Sequence, residues 1–275
     1  MMTETHRIVR HRTFGGGTPG VVLLHGGMQT SRNFVTLANL LADRFTVYVP
    51  DRRGRGMSGP PGPGYGLATE VDDLRQLLQE TGARNVFGLS SGAVVAIQAA
   101  LELPEIERLA LYEPPLTFGE FNPVGWLPRY ERELAAGRKA AAFAAVAKGT
   151  DDGPQLRWVP RAALVPLFRL GIRADGRKNR PADYTPLGEL IPTMREDATV
   201  VQQAAGPLER FADVRADTLL LGGRRSGPYL KAVLDGLEPV LPHVRRVTLD
   251  GVGHLAADNR GKPQLVAAQL RTFFA

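Results

Sequence analysis

The five residues Gly88-Leu89-Ser90-Ser91-Gly92 constrain this chain more than any other feature. They match G-x-S-x-G, a turn in which a strand passes directly into a helix. The central serine is forced into strained backbone angles and its hydroxyl is presented at the carboxyl edge of the sheet. The flanking positions must be small because strand and helix approach closely there. With 31 glycines in 275 residues the pattern alone arises easily by chance, so its context carries the weight. Asn85 to Leu89 reads as a short apolar strand and Ala93 to Leu103 as an apolar helix, the order the turn requires.

The same alternation runs through both ends of the chain. Val21 to Leu24, Phe45 to Val49 and Ile106 to Tyr112 are strand-like runs, separated by helical patterns over Ser31 to Ala42 and Thr69 to Thr81. Thr218 to Leu221 and Val244 to Leu249 repeat the theme, with helices over Tyr229 to Leu241 and Pro263 to Phe274. Strands apolar on both faces and joined by helices predict an α/β fold with a doubly wound, mainly parallel sheet. Between about residues 116 and 205 no strand is expected, only helical pieces broken by prolines such as Pro123, Pro160 and Pro166. The expected organisation is a core of residues 1–115 and 206–275 carrying a helical insertion over 116–205.

Composition narrows the function classes. The chain is 43% apolar and 23% charged, ordinary for a globular protein, and no apolar run approaches the ~18 residues of a membrane span. Its N-terminus has no apolar segment of the kind that directs secretion, so a cytoplasmic, membrane-free protein is expected. Without cysteine there is no disulfide, thiol nucleophile or thiolate metal site. The net charge of +6 points toward a nucleic-acid partner, yet 29 of the 34 basic residues are arginine, the bias of a GC-rich coding sequence. The basic residues are scattered apart from Arg157 to Arg180, so a nucleic-acid partner is not expected.

Two further segments bear on chemistry. His25-Gly26-Gly27 ends an early strand, where backbone N–H groups of Gly27 or Met28 can face a developing oxyanion. The second donor would be the amide of Ser91, just after the serine and at a helix N-terminus. His25 itself reads as structural, orienting the loop. Gly253-His254 follows the last strand, and His254 stands where a Ser–His pair would place its base.

Taken together, His25-Gly26-Gly27, the turn Asp51 to Gly59, Gly88 to Gly92 and Gly253-His254 resemble the α/β-hydrolase fold with a helical cap, in order and spacing. The resemblance covers the chain apart from the cap. It implies a Ser90–His254–acid triad, with a structural role for the Asp51 to Gly59 turn. The family usually places the acid a few residues beyond the strand corresponding to Thr218 to Leu221, and here Ser226 stands at that point. A serine cannot stabilise an imidazolium as a carboxylate does. Glu113, directly after the strand that follows the serine's helix, is the expected replacement, and some relatives carry the acid at that strand end. Asp250 and Asp258 are the alternatives. Ser90 in place of an aspartate implies an acyl-enzyme, which turns the expectation toward esters, lactones or thioesters of small or medium acyl groups, without metal or cofactor. The rival reading is a non-hydrolytic relative of the same fold, a lyase, cyclase or ligand-binding receptor. The oligomeric state is open.

Overall fold

The computed structural model describes residues 9–150, 158–177 and 180–275. Seven strands, β1 (Arg10–Phe14), β2 (Gly20–Leu24), β3 (Thr46–Asp51), β4 (Asn85–Leu89), β5 (Arg108–Tyr112), β6 (Asp217–Gly223) and β7 (Val244–Leu249), form one sheet in the order β1-β3-β2-β4-β5-β6-β7. Only β1 runs antiparallel, against β3. All other neighbours are parallel.

The sequence explains both faces. Along β2, Val22 and Leu24 point into one apolar cluster, whereas Val21 and Leu23 point into the other. Alternation that is apolar on both sides needs helices on both sides. On the first face lie α2 (Leu67–Thr81), α3 (Ser91–Glu102) and α9 (Pro228–Leu237). On the second lie α1 (Val35–Leu41) and α10 (Pro263–Phe274). All four apolar side chains of β2 are buried, each contributing about 1.5–3 kcal/mol as an upper estimate.

The chain between β5 and β6 is helical: α4 (Leu127–Ala135), α5 (Lys139–Gly149), α6 (Arg161–Arg177), α7 (Leu187–Leu190) and α8 (Met194–Gln203). Among the described residues it adds no strand to the sheet, and its single bridge joins Phe118 to Phe121. Helix α8 packs on α3 and α2, so this segment rests on the core directly above the carboxyl ends of the strands.

Two boundaries differ from the sequence reading. Strand β3 continues through Pro50 to Asp51, because beyond Tyr48 it pairs only with β1 and its other side asks for no N–H. Helix α6 runs through Pro166. The hydrogen bond lost there would have ended on the carbonyl of Ala162, an exposed residue that water can satisfy. Of the basic run, Arg157 and Lys178 lie outside the described residues. Among the described residues no helix is long and apolar enough to cross a membrane.

Candidate active site

Three strand ends build the site, and each carries a backbone under strain. Among the described residues the non-glycine positions with left-handed φ are Met28 (52°), Ser90 (55°) and Glu113 (49°), following β2, β4 and β5 respectively. Such angles are costly outside glycine and persist where the surroundings enforce them. At Ser90 the cause is the turn itself. A Cβ on Gly88 would lie 2.5 Å from the carbonyl oxygen of Gly92, and one on Gly92 would lie 2.5 Å from the carbonyl oxygens of Leu24 and His25. Strand, helix and the neighbouring strand therefore close on each other, and Ser90 is thrust outward at φ 55°, ψ −124° at the start of α3.

Ser90, His254, Gly27, Met28 and Ser91 all line one cavity of about 90 Å³ beneath the insertion. Its remaining walls are largely apolar and include Trp126, Val146, Met194 and Val201 from the inserted helices. Glu113 stands behind His254, fully buried. The His254 Nδ1–H donates to Glu113 Oε2 at 2.8 Å, which leaves Nε2 as the unprotonated nitrogen of a neutral ring. The loop that carries His254 is pinned by the Tyr112 hydroxyl, which donates to the carbonyl of Gly253 at 2.8 Å.

The alternatives for the acid are occupied elsewhere. Asp250 is exposed and pairs with Arg224. Asp258 accepts hydrogen bonds from Gln29 (2.8 Å) and Asn33 (2.7 Å). Ser226 is buried, and its hydroxyl has no hydrogen-bond partner among the described residues.

His25 is bound on both ring nitrogens. Nδ1 donates to the carbonyl of Gly26 at 2.9 Å, and Nε2 accepts the N–H of Arg52 at 3.2 Å. Complete burial, with Arg55 and Arg52 nearby, lowers its pKa to about 3, so the ring stays neutral and holds the β2 loop.

The Asp51 to Gly59 turn does more than shape a loop. Arg52 and Arg55 are buried and converge on Asp197 of α8, whose Oδ1 accepts from Arg52 Nη1 and whose Oδ2 accepts from Arg55 Nη2, each at 2.8 Å. Oδ1 also accepts the hydroxyl of Ser91 at 2.7 Å. On its other side Arg52 pairs with Glu70 at 3.0 Å. Burial pushes the Asp197 pKa up, but Arg55 and Arg52 outweigh it and hold the carboxylate below its ordinary range. The sequence reading missed Asp197. An acid in an inserted helix looks like part of a solvated face, and the only clue was three arginines in one tight turn.

Among the described residues no group of three or more His, Cys, Asp or Glu side chains is arranged to hold a metal ion.

Comparison with known proteins places this geometry in context. A family model described as "Alpha/beta hydrolase family" matches residues 21–269. The chain is similar to the 2-(acetamidomethylene)succinate hydrolase of Mesorhizobium japonicum, 24% identical over 264 residues, spanning 94% of this chain and 88% of that one. A crystal structure of an alpha/beta hydrolase from Sphaerobacter thermophilus superposes with a TM-score of 0.77 at 28% identity, covering 97% of this chain and 96% of that one. The enol-lactonase of Burkholderia xenovorans shares the fold, with a TM-score of 0.65 at 22% identity and coverage of 96% and 95%.

Proposed function

Because this chain belongs to the alpha/beta hydrolase family, we propose that it is a serine hydrolase working through Ser90, His254 and Glu113, on a carboxylester, lactone or thioester with a small or medium apolar acyl group. The observation that carries this reading is the 2.8 Å contact from His254 Nδ1 to Glu113 Oε2, behind a serine held at φ 55°. A relative and a structural neighbour named as a hydrolase and an enol-lactonase agree with it.

In this mechanism Ser90 Oγ attacks the substrate carbonyl while its proton passes to His254 Nε2. Negative charge develops on the carbonyl oxygen and is met by the Ser91 amide and that of Gly27 or Met28. Glu113 stabilises the imidazolium and fixes the ring's tautomer. The tetrahedral intermediate collapses, the bond to the leaving oxygen or sulfur breaks, and that atom takes the proton from His254. Water, deprotonated by His254, then releases the acid from Ser90. No step calls for a metal or cofactor. The helices over 116–205 act as the cap that supplies the apolar wall.

Labelling with a fluorophosphonate, followed by peptide mass mapping, tests the proposal. Stoichiometric modification at Ser90, with hydrolysis of p-nitrophenyl esters abolished in Ser90→Ala, is expected. An unlabelled Ser90 would transfer the pocket to a non-hydrolytic reaction on the same fold.

A further inference from the structure

Two cavities meet at Met28. The smaller holds Ser90 and His254, and among the described residues no arginine or lysine lines it. The acid that lines it among the described residues, Asp197, is already bound to two arginines. On the far side of Met28 opens a larger cleft of about 630 Å³, between the β2 loop, the segment after His254 and the stretch around α6 and α7.

This cleft has the opposite chemistry. Arg32, Arg180 and Arg260 line it, with Asn33, Asn259 and Tyr184 between them. Its acidic liner, Asp175, is engaged by Arg180 (3.0 Å), by the Tyr184 hydroxyl (2.7 Å) and by the Leu187 amide (2.9 Å). Asp183 nearby is shared by Arg12 and Arg32, the latter at 2.6 Å. Arg12, Arg32, Arg180 and Arg260 thus stand against Asp175, Asp183 and Asp258, the last accepting from Asn33 and from the Arg260 amide, and Arg260 is in no ion pair among the described residues. A concave wall with surplus positive charge concentrates anions, and planar guanidinium groups suit carboxylate and phosphate.

We propose that this cleft binds an anionic leaving group. The substrate is then an ester or thioester whose acyl half is apolar and uncharged, and whose alcohol or thiol half carries a carboxylate or a phosphate. The assignment of halves rests on reading Ser90 as nucleophile and His254 as acid. The leaving atom must lie beside His254 to receive its proton, and the chain running on from His254 places Asn259 and Arg260 on the cleft wall.

Four esters test it: propyl butyrate, 3-butyryloxypropanoate, 3-butyryloxypropyl phosphate and monopropyl succinate. The expected order puts one of the two anionic-alcohol esters at least about tenfold above propyl butyrate in kcat/KM, the scale of one charge-assisted hydrogen bond. Whichever is higher identifies the anion. That advantage should shrink with added salt and disappear in Arg260→Gln, while propyl butyrate is hydrolysed equally by both proteins. Monopropyl succinate, with its charge on the acyl half, should be the poorest. Equal rates for charged and neutral alcohols, or a preference for monopropyl succinate, overturns the proposal. Calorimetric titration with 3-hydroxypropanoate and 3-hydroxypropyl phosphate separates it from the catalytic reading. If Ser90 is not the nucleophile, no ester is turned over, yet one of the two still binds and loses affinity in Arg260→Gln. Binding of neither compound overturns the cleft assignment itself.

Discussion

Glu113 Oε1 accepts the amide N–H of Gly223 at 2.7 Å, so an acid rooted at the end of β5 closes the end of the neighbouring strand β6. One carboxylate oxygen is thereby fixed, and the other is left for His254. The strand β6 makes room for this. A Cβ on Gly222 would stand 3.0 Å from Glu113 Oε1, and one on Gly223 would stand 2.5 Å from the carbonyl oxygen of Val252.

Glu113→Gln is expected to lower kcat by about 10³–10⁴, the scale seen when a triad acid becomes an amide. The amide oxygen can still accept from Gly223, but the –NH₂ group would face His254 Nδ1 and select the wrong tautomer. Steady-state kinetics together with urea unfolding check this. An intact kcat would place the supporting acid elsewhere.

The two glycines should separate activity from stability. In Gly222→Ala the new methyl meets the movable ends of Leu234 and Glu113, so kcat should fall more than stability does. In Gly223→Ala it meets backbone, and overpacking of about 1–3 kcal/mol or more should appear in the unfolding midpoint. Equal effects of both variants on kcat and on midpoint would show that Glu113 is not held by this contact.

What was legible in the sequence was the part with local causes. The elbow at Gly88 to Gly92 announces itself because strand, turn and helix are contiguous, and the family resemblance, with Ser226 at the usual acid position, turned the expectation to Glu113. The Arg52–Asp197–Arg55 cluster was not legible. Its members lie some 140 residues apart in sequence, and a buried acid is indistinguishable from a solvated one until its partners are placed. The helix through Pro166 was hidden for a related reason, since whether a lost hydrogen bond costs anything depends on whether water reaches the carbonyl.

Asp197→Ala leaves the buried Arg55 guanidinium without its acid and Arg52 with Glu70 alone, and should destabilise the protein by about 3–5 kcal/mol. Asp197→Asn should cost less. Because the Asp197 pKa is lowered on folding, the stability its charge contributes is fully present above the unfolded value of about 4 and is lost only as pH falls through the lower folded value. Urea unfolding at several pH values should therefore show a gap between wild type and Asp197→Asn that is constant from pH 7 to about 5 and closes in stronger acid. A gap that opens on acidification would contradict the ion-pair assignment.

His25 gives a second handle of the same sign. Its pKa falls from 6.5 to about 3 on folding, so below pH 6.5 the unfolded chain takes up a proton that the folded protein refuses. Stability should decline by up to about 1.4 kcal/mol per pH unit between those values. His25→Gln should lack that component. In NMR titration the His25 ring signals should stay unshifted from pH 8 to pH 4, and movement with a midpoint near 6.5 would sink the argument.

Glu113 stands two residues before Pro115, at the threshold of the inserted helices. In the proposed triad the acid is thus inherited with the segment upstream of that threshold, whereas the usual family pattern inherits it with the segment downstream. Recombining this chain between β5 and β6 with a conventionally arranged relative would therefore give unequal progeny. If Glu113 is the acid, one daughter would receive two carboxylates competing for a single imidazole, and the other would receive none. Exchange of the inserted helices between members of this family would then have a hidden reading frame, its seam set by where the acid is rooted.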